Sequence, residues 1–298
     1  MEASNTKPEK MNLEQRHIGE FQRIMRVFFR RKLAVLGLII TLLFIITAVF
    51  APLIAPYDPY AFDTSKKLQP PSAGHLLGTD AMGRDTLSRL IYGSRISLLV
   101  GIISVGIGSI VGQILGLVAA YFGGAVNTVI MRLMDAQMAF PGMLLMIVIA
   151  AVLGGGLKNV IIALSVSMIP VTCRLICGEA LSVVQNDYIT AARSMGSSNL
   201  GIMLIHVYPN CIPSIIVMMT IMMGTNILAE AGLSYLGLGV AIPHAAWGSM
   251  VNDGYRYLLT NPVQALAPGV AIMLLVFGFN LMGDGLRDAL DPKLRSVI

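Results

Sequence analysis

The chain has little charge. Only 12% of its 298 residues are Asp, Glu, Lys or Arg, about half of the roughly 25% carried by an ordinary soluble domain. That is too little to clothe a water-soluble globule, and it excludes a disordered polar chain. Cysteine is scarce as well. Cys173, Cys177 and Cys211 are three in number and cannot all pair, which excludes a disulfide-stapled secreted scaffold. Tryptophan occurs once, at Trp247. Catalytic signatures are missing too. No Lys follows a Gly, so the chain carries no phosphate-cradling P-loop, and neither His-Glu-x-x-His nor Gly-x-Ser-x-Gly occurs. His17, His75, His206 and His244 stand singly. No catalytic residue and no metal-ligand set is read in the chain.

What is present is apolar: 55% of residues are hydrophobic and the mean hydropathy is +0.75. A helix crossing the hydrocarbon core needs about 20 apolar residues. Uncharged runs of 25 residues (Lys32 to Asp58), 36 (Arg95 to Arg132), 22 (Asp135 to Lys158), 15 (Lys158 to Arg174), 36 (Arg193 to Glu230) and 27 (Arg256 to Asp284) meet or approach that length. They predict an all-α polytopic membrane protein with six spans, 33–55, 97–120, 134–153, 159–176, 211–230 and 264–283. The fourth is short and carries Pro170, with Arg174 near enough to its end to snorkel. Spanning barrel strands alternate over about 10 residues, whereas Leu33–Ala48 is apolar almost all round.

The net charge of +5 records orientation rather than an affinity for nucleic acid. With the N-terminus inside, 14 basic residues face the cytoplasm and 7 face out. Eight of the 14 precede the first span, Arg26 to Lys32 directly abutting it. Both termini are therefore expected in the cytoplasm. The first apolar run follows some 30 hydrophilic residues and reads as an uncleaved anchor.

Residues 1–32 form a polar tail followed by an amphipathic basic helix. Phe21, Ile24, Met25 and Phe28 recur at helical spacing opposite Arg23, Arg26 and Arg30. That helix lies either in the lipid interface or against the protein. Residues 33–298 form the membrane domain, with an outer loop over 56–95 and an outer segment over 231–263. In the outer loop, Asp85 is placed to cap a short helix and to pair with Arg89. Gly108, Gly112 and Gly116 make a small-residue face for close helix packing, and Cys173 and Cys177 read as two small residues at a packed face. Met218, Met219, Met222 and Met223, with Asn226 and Glu230, mark the fifth span. Met219, Met222, Met223, Asn226 and Glu230 are candidates for a translocation path. Adaptable packing for the methionines and a structural hydrogen bond for Glu230 are the alternatives.

The cytoplasmic segment 177–209 has its own pattern. Two helical stretches flank a break at Gly196-Ser197-Ser198-Asn199, with Gly196 as a helix C-terminal glycine and Ser197 or Ser198 as the next N-cap. The second stretch, Leu200–Tyr208, is expected to end at Pro209. Such an elbow suits docking into a groove on a partner.

Thr190-Ala191-Ala192-Arg193-Ser194-Met195-Gly196, with His206 and Pro209 beyond it, resembles the EAA loop of bacterial ATP-binding cassette (ABC) importer permeases. The family consensus begins Glu-Ala-Ala and ends Ile-x-Leu-Pro. Here Thr190 stands for the Glu, His206 for the Ile and Tyr208 for the Leu. His206 followed by Pro209-Asn210 is similar to the dipeptide, oligopeptide and nickel branch. So are Leu77 to Leu98, Leu233 to Gly239 with Trp247-Gly248, and Asn280 to Pro292. The resemblance, over about residues 25–295, is to the second, C-type permease subunit.

It implies the type I importer permease fold and a cytoplasmic coupling helix borne by Tyr188, Ala191, Ala192, Arg193, Gly196, His206 and Pro209. It implies a homologous permease as heterodimer partner, two ABC ATPase subunits that use ATP and Mg, and an extracytoplasmic solute-binding protein. The chain itself would bind no cofactor, and its remaining partner is membrane lipid in the bacterial cytoplasmic membrane. Peptides are the expected cargo, with nickel or glutathione as alternatives. The rival from another class is a stand-alone secondary transporter, which would usually bury acids at mid-span. Asp135, Glu230 and Asp284 lie nearer span ends. A binding or sensing module built on the outer loops is the third reading.

Overall fold

The computed structural model describes residues 20–240 and 243–290. The expected tail 1–12, His17 and the charges of 291–298 (Asp291, Lys293 and Arg295) lie outside the described residues, as does the side chain of Phe21.

The described residues are helical in the order α1 Glu20–Arg30, α2 Lys32–Val49, α3 Ala51–Ile54, α4 Thr86–Phe122, α5 Gly124–Met138, α6 Gly142–Leu153, α7 Leu157–Val184, α8 Asp187–Ser194, α9 Asn199–Gly201, α10 Tyr208–Tyr235, α11 Trp247–Tyr255 and α12 Val263–Leu290. Five stretches are long and apolar enough to cross a membrane: α2, α4, α7, α9 through α10, and α12. The pair α5 and α6 is long and apolar enough only when taken together, and is bent by 86° at the break between them.

That bend corrects the expected single span 134–153. Pro141 has no N–H to donate, and a proline drives the residue before it out of the α region. The chain therefore breaks at Ala139–Pro141 between two helices. The second span is longer than expected. The separate helix over 86–91 and the span from 97 are one helix of 37 residues, about 55 Å long at the usual rise. Nothing between Ile91 and Ser97 breaks it, because Gly93 stays helical and Ser94 Oγ donates back to Ile91 O at 2.6 Å. The fourth span is likewise not short. α7 runs 28 residues through Pro170, and Arg174 on it pairs with Asp135 of α5.

Close packing of α4 on α7 forms the largest helix interface. A Cβ at Gly112 would fall on the Ile169 carbonyl and the Thr172 side chain, and one at Gly116 on the Cys173 carbonyl. The expected small-residue face thus has α7 as its partner. Cys173 and Cys177 are buried at that seam. A second glycine crossing, Gly37 of α2 on Gly278 of α12, seats the otherwise peripheral α2. At the other end α1 packs on α12. Phe28 is buried with Ala34 and Ala289, and Arg31 pairs with Asp288, while Phe29 stays exposed.

The loop between α3 and α4 is fastened to the bundle by polar side chains. Asp85 caps α4 by accepting from Ser88 N at 2.7 Å. It pairs with His75 at 2.9 Å and not with the expected Arg89. Asp80 instead collects both arginines, Arg84 Nε at 2.6 Å and Arg89 Nε at 3.5 Å. Trp247 is fully buried. It donates its indole N–H to Leu90 O at 2.9 Å, and its ring covers Gly93, where a Cβ would collide with it. Burial pushes the Asp253 carboxyl above its ordinary range, against the pull of Arg84 and Arg89.

Candidate coupling and translocation site

The loop end of the bundle carries an elbow whose shape follows from a few residues. α8 ends in a Schellman turn. Gly196 adopts φ +83°, Gly196 N donates to Arg193 O at 3.0 Å, and Ser197 N donates to Ala192 O at 3.1 Å. An L side chain is strained at that φ. A Cβ at Gly196 would meet open space, so the requirement for glycine there is conformational rather than steric. Ser198 then caps α9, accepting from Gly201 N at 3.1 Å.

The expected helix end at Pro209 is corrected. The chain passes from α9 through a π-helical turn, Ile202–Val207, directly into α10. The π turn absorbs the missing donor of Pro209, which sits in the first turn of α10, where a proline is tolerated.

Two sides of the elbow have different tasks. Ile189 and Ala192 point inward onto Ile202, Met203 and Val207. Tyr188, Ala191, Arg193, Gly196 and Pro209 are exposed, and His206 is half-buried, its carbonyl accepting from Asn210. Among the residues read as coupling residues, Ala192 thus fills the elbow from inside while Tyr188, Ala191 and Gly196 share its open surface. Met195 and Ile205, 80% and 69% exposed, add apolar area to that surface. Sequence reasoning did not single out Tyr121, which anchors the elbow. Its hydroxyl donates to Asn199 Oδ1 at 2.8 Å, and Arg193 lies over its ring.

The methionines of α10 divide between two faces because consecutive helical residues are about 100° apart. Met218 and Met222 line an open concavity of about 530 Å³ bounded by α7, α10 and α12. Met219 packs against the cluster that holds Tyr121, and Met223 against the cluster that holds Trp247. Asn226 donates to Ser104 Oγ of α4 at 2.9 Å, and the fully buried Glu230 accepts from Ser234 Oγ at 2.6 Å. Of the five path candidates, Met222 alone borders the concavity. Glu179 and Arg287 border it as well. Glu179 had a signal in the sequence, as the one charged residue between Arg174 and Asp187. Among the described residues no three His, Cys, Asp or Glu side chains converge as a metal site would need.

Comparison with known proteins identifies the architecture. The family model described as "Binding-protein-dependent transport system inner membrane component" matches residues 112–296. That described as "N-terminal TM domain of oligopeptide transport permease C" matches residues 19–71. The dipeptide transport system permease protein DppC of Alkalihalophilus pseudofirmus is 43% identical over 94% of this chain and 92% of its own. The glutathione transport system permease protein GsiD of Pectobacterium atrosepticum is 42% identical over 93% of this chain and 92% of its own. GsiD of Escherichia coli O157:H7 is 44% identical over 91% and 89%. Among solved structures, an inward-facing form of the MetNI methionine ABC transporter shares the fold. Its TM-score is 0.56 at 19% identity, over 68% of this chain and 96% of that one.

Proposed function

The chain belongs to the family of binding-protein-dependent transport system inner membrane components, and we propose that it is the permease subunit of an ABC importer that carries di- and oligopeptides across the bacterial cytoplasmic membrane. The observation that carries this reading is the elbow of α8 and α9. It is built rigidly from inside by Ile189 and Ala192 and presents Tyr188, Ala191 and Gly196 outward. A surface of small and apolar groups on a fixed frame is what a cytoplasmic motor needs in order to push.

In this reading the chain pairs with a homologous permease, two ATPase subunits sit below, and a solute-binding protein delivers cargo outside. The partners bind and hydrolyse ATP with Mg, and this chain holds no cofactor. The 14:7 distribution of basic residues supports a cytoplasmic location for both termini, and hence for the elbow, in this reading. Closure of the ATPase dimer moves each elbow. Because α7 leads into the elbow and α9 runs out of it into α10, the motion tilts two spans together. Net work requires elbow contacts that differ between the two states, not contacts that are merely tight.

Glutathione is the second reading for the cargo, supported by the glutathione permeases at 42% and 44% identity. It is itself a short peptide, so the two readings share one chemistry. Affinity purification from native membranes tests the proposal. A P-loop ATPase and a second permease should come with the chain in fixed ratio. Recovery of the chain alone, still able to transport, would contradict it.

A further inference from the structure

Two charges of opposite sign line the concavity between α7, α10 and α12. Glu179 comes from α7 and Arg287 from the last turns of α12. Among the described residues neither has an ion-pair partner, whereas nearby Arg174 is matched by Asp135 and Arg31 by Asp288. Both lie just beyond the expected spans 159–176 and 264–283, Glu179 half-buried and Arg287 exposed, where each is free to meet a solute. Ser214 Oγ donates to Glu179 Oε1 at 2.9 Å and so orients the carboxylate. An ionised carboxylate offers about four lone-pair sites, which leaves capacity for a further donor.

The rest of the lining is mostly apolar, with Val217, Met218 and Met222 beside the polar Asn210 and Ser214. Methionine is unbranched and polarisable and adapts to differently shaped contacts, and promiscuous sites use it for that reason. The volume of about 530 Å³ lies within the roughly 300–1,000 Å³ of small-molecule sites. Peptides of differing sequence have in common a terminal ammonium, a terminal carboxylate and a backbone between them. A carboxylate is the natural partner of the first, and a guanidinium fork of the second.

We infer that this concavity is a peptide-binding station on the transport route, in which Glu179 takes the terminal ammonium, Arg287 takes the terminal carboxylate and the methionine wall accepts the side chains. The inference rests on the peptide-importer reading and deepens it by assigning contacts within this subunit.

The test uses the complete purified complex in lipid nanodiscs without the solute-binding protein, carrying Met222→Cys. The three native cysteines of this chain are buried, so maleimide modification at position 222, read by mass spectrometry of this chain, reports occupancy of the concavity. L-Alanyl-L-alanine should slow the modification, and the same dipeptide acetylated at its N-terminus and amidated at its C-terminus should not. Adding Glu179→Gln or Arg287→Gln should raise the dipeptide concentration needed for protection by roughly 10- to 100-fold, the worth of a charge-assisted hydrogen bond. Equal protection by the capped dipeptide, protection unaltered by both substitutions, or a position 222 closed to maleimide because the second permease covers it would each overturn the inference. Uptake of L-alanyl-L-alanine by the wild-type complex with its binding protein, measured alongside, separates the two levels. Uptake without protection at position 222 removes this station and leaves the importer reading intact. Failure of uptake removes the dipeptide-cargo reading on which the station rests.

Discussion

The guanidinium of Arg193 lies over the ring of Tyr121, 5.5 Å from its centroid. The same tyrosine donates its hydroxyl to Asn199. Arg193 belongs to α8 and Asn199 opens α9, so the last turn of α4 holds both arms of the elbow. The exposed surface of the elbow is thereby tied to the 37-residue helix α4.

This tie predicts how coupling is lost. Tyr121→Phe removes one hydrogen bond, about 1 kcal/mol, and Arg193→Ala removes a cation–π contact of about 0.5–1 kcal/mol. Each should lower peptide uptake more than ATP hydrolysis, so that more ATP is consumed per peptide carried. Parallel assays of the two activities in proteoliposomes check this.

Gly196 is the sharper case. At φ +83° a β-branched residue is strained by about 1–2 kcal/mol, and the Schellman turn would open. Gly196→Val should sharply lower uptake at normal membrane abundance. Gly196→Asn, which tolerates the left-handed region, should retain most of it. Equal behaviour of the two variants would disprove a conformational role for this glycine.

Two glycines on α4 separate packing from propensity. At Gly112 a side chain would strike α7, whereas a Cβ at Gly106 has nothing within 4 Å. Gly112→Ile should abolish accumulation in the membrane, since overpacking costs about 1–3 kcal/mol or more. Gly106→Ala should raise thermal stability by about 0.5–1 kcal/mol. Thermal melts of the purified complex distinguish them.

Asp253 predicts a pH dependence. Burial raises its proton affinity above that of the unfolded chain, so over that window the native state binds more protons than the unfolded state. Its contribution to stability is present in full below the ordinary aspartate range and is lost as pH rises through the folded value. Asp253→Asn should therefore raise the melting temperature relative to wild type at neutral pH, with the gap closing under acidic conditions. A gap that widens on acidification would reverse the assignment.

The parts legible in the sequence are those where one residue type has one physical use. Glycine at every fourth position of a span serves close helix approach, so the face of Gly108, Gly112 and Gly116 could be read, although α7 as its partner could not. Glycine after a helix and before a serine cap signals a Schellman turn, and Gly196 forms one. Proline was less legible because its effect depends on whether neighbouring backbone can rearrange. Pro141 separates α5 from α6, Pro170 is carried inside α7, and a π turn accommodates Pro209. The methionine run of α10 read as one feature but divides between two helix faces. Partners of charges brought together by tertiary folding were out of reach. Asp85 meets His75 rather than Arg89, and nothing local announces that Glu179 and Arg287 border one concavity.

The most direct test of the importer account is accumulation of labelled L-alanyl-L-alanine in vesicles holding the complete complex and its binding protein, with ATP supplied on the cytoplasmic face and the proton gradient collapsed by an uncoupler. The account predicts accumulation that requires ATP and survives the uncoupler. Uptake that ignores ATP and stops with the uncoupler would contradict it and identify the chain as a stand-alone secondary transporter.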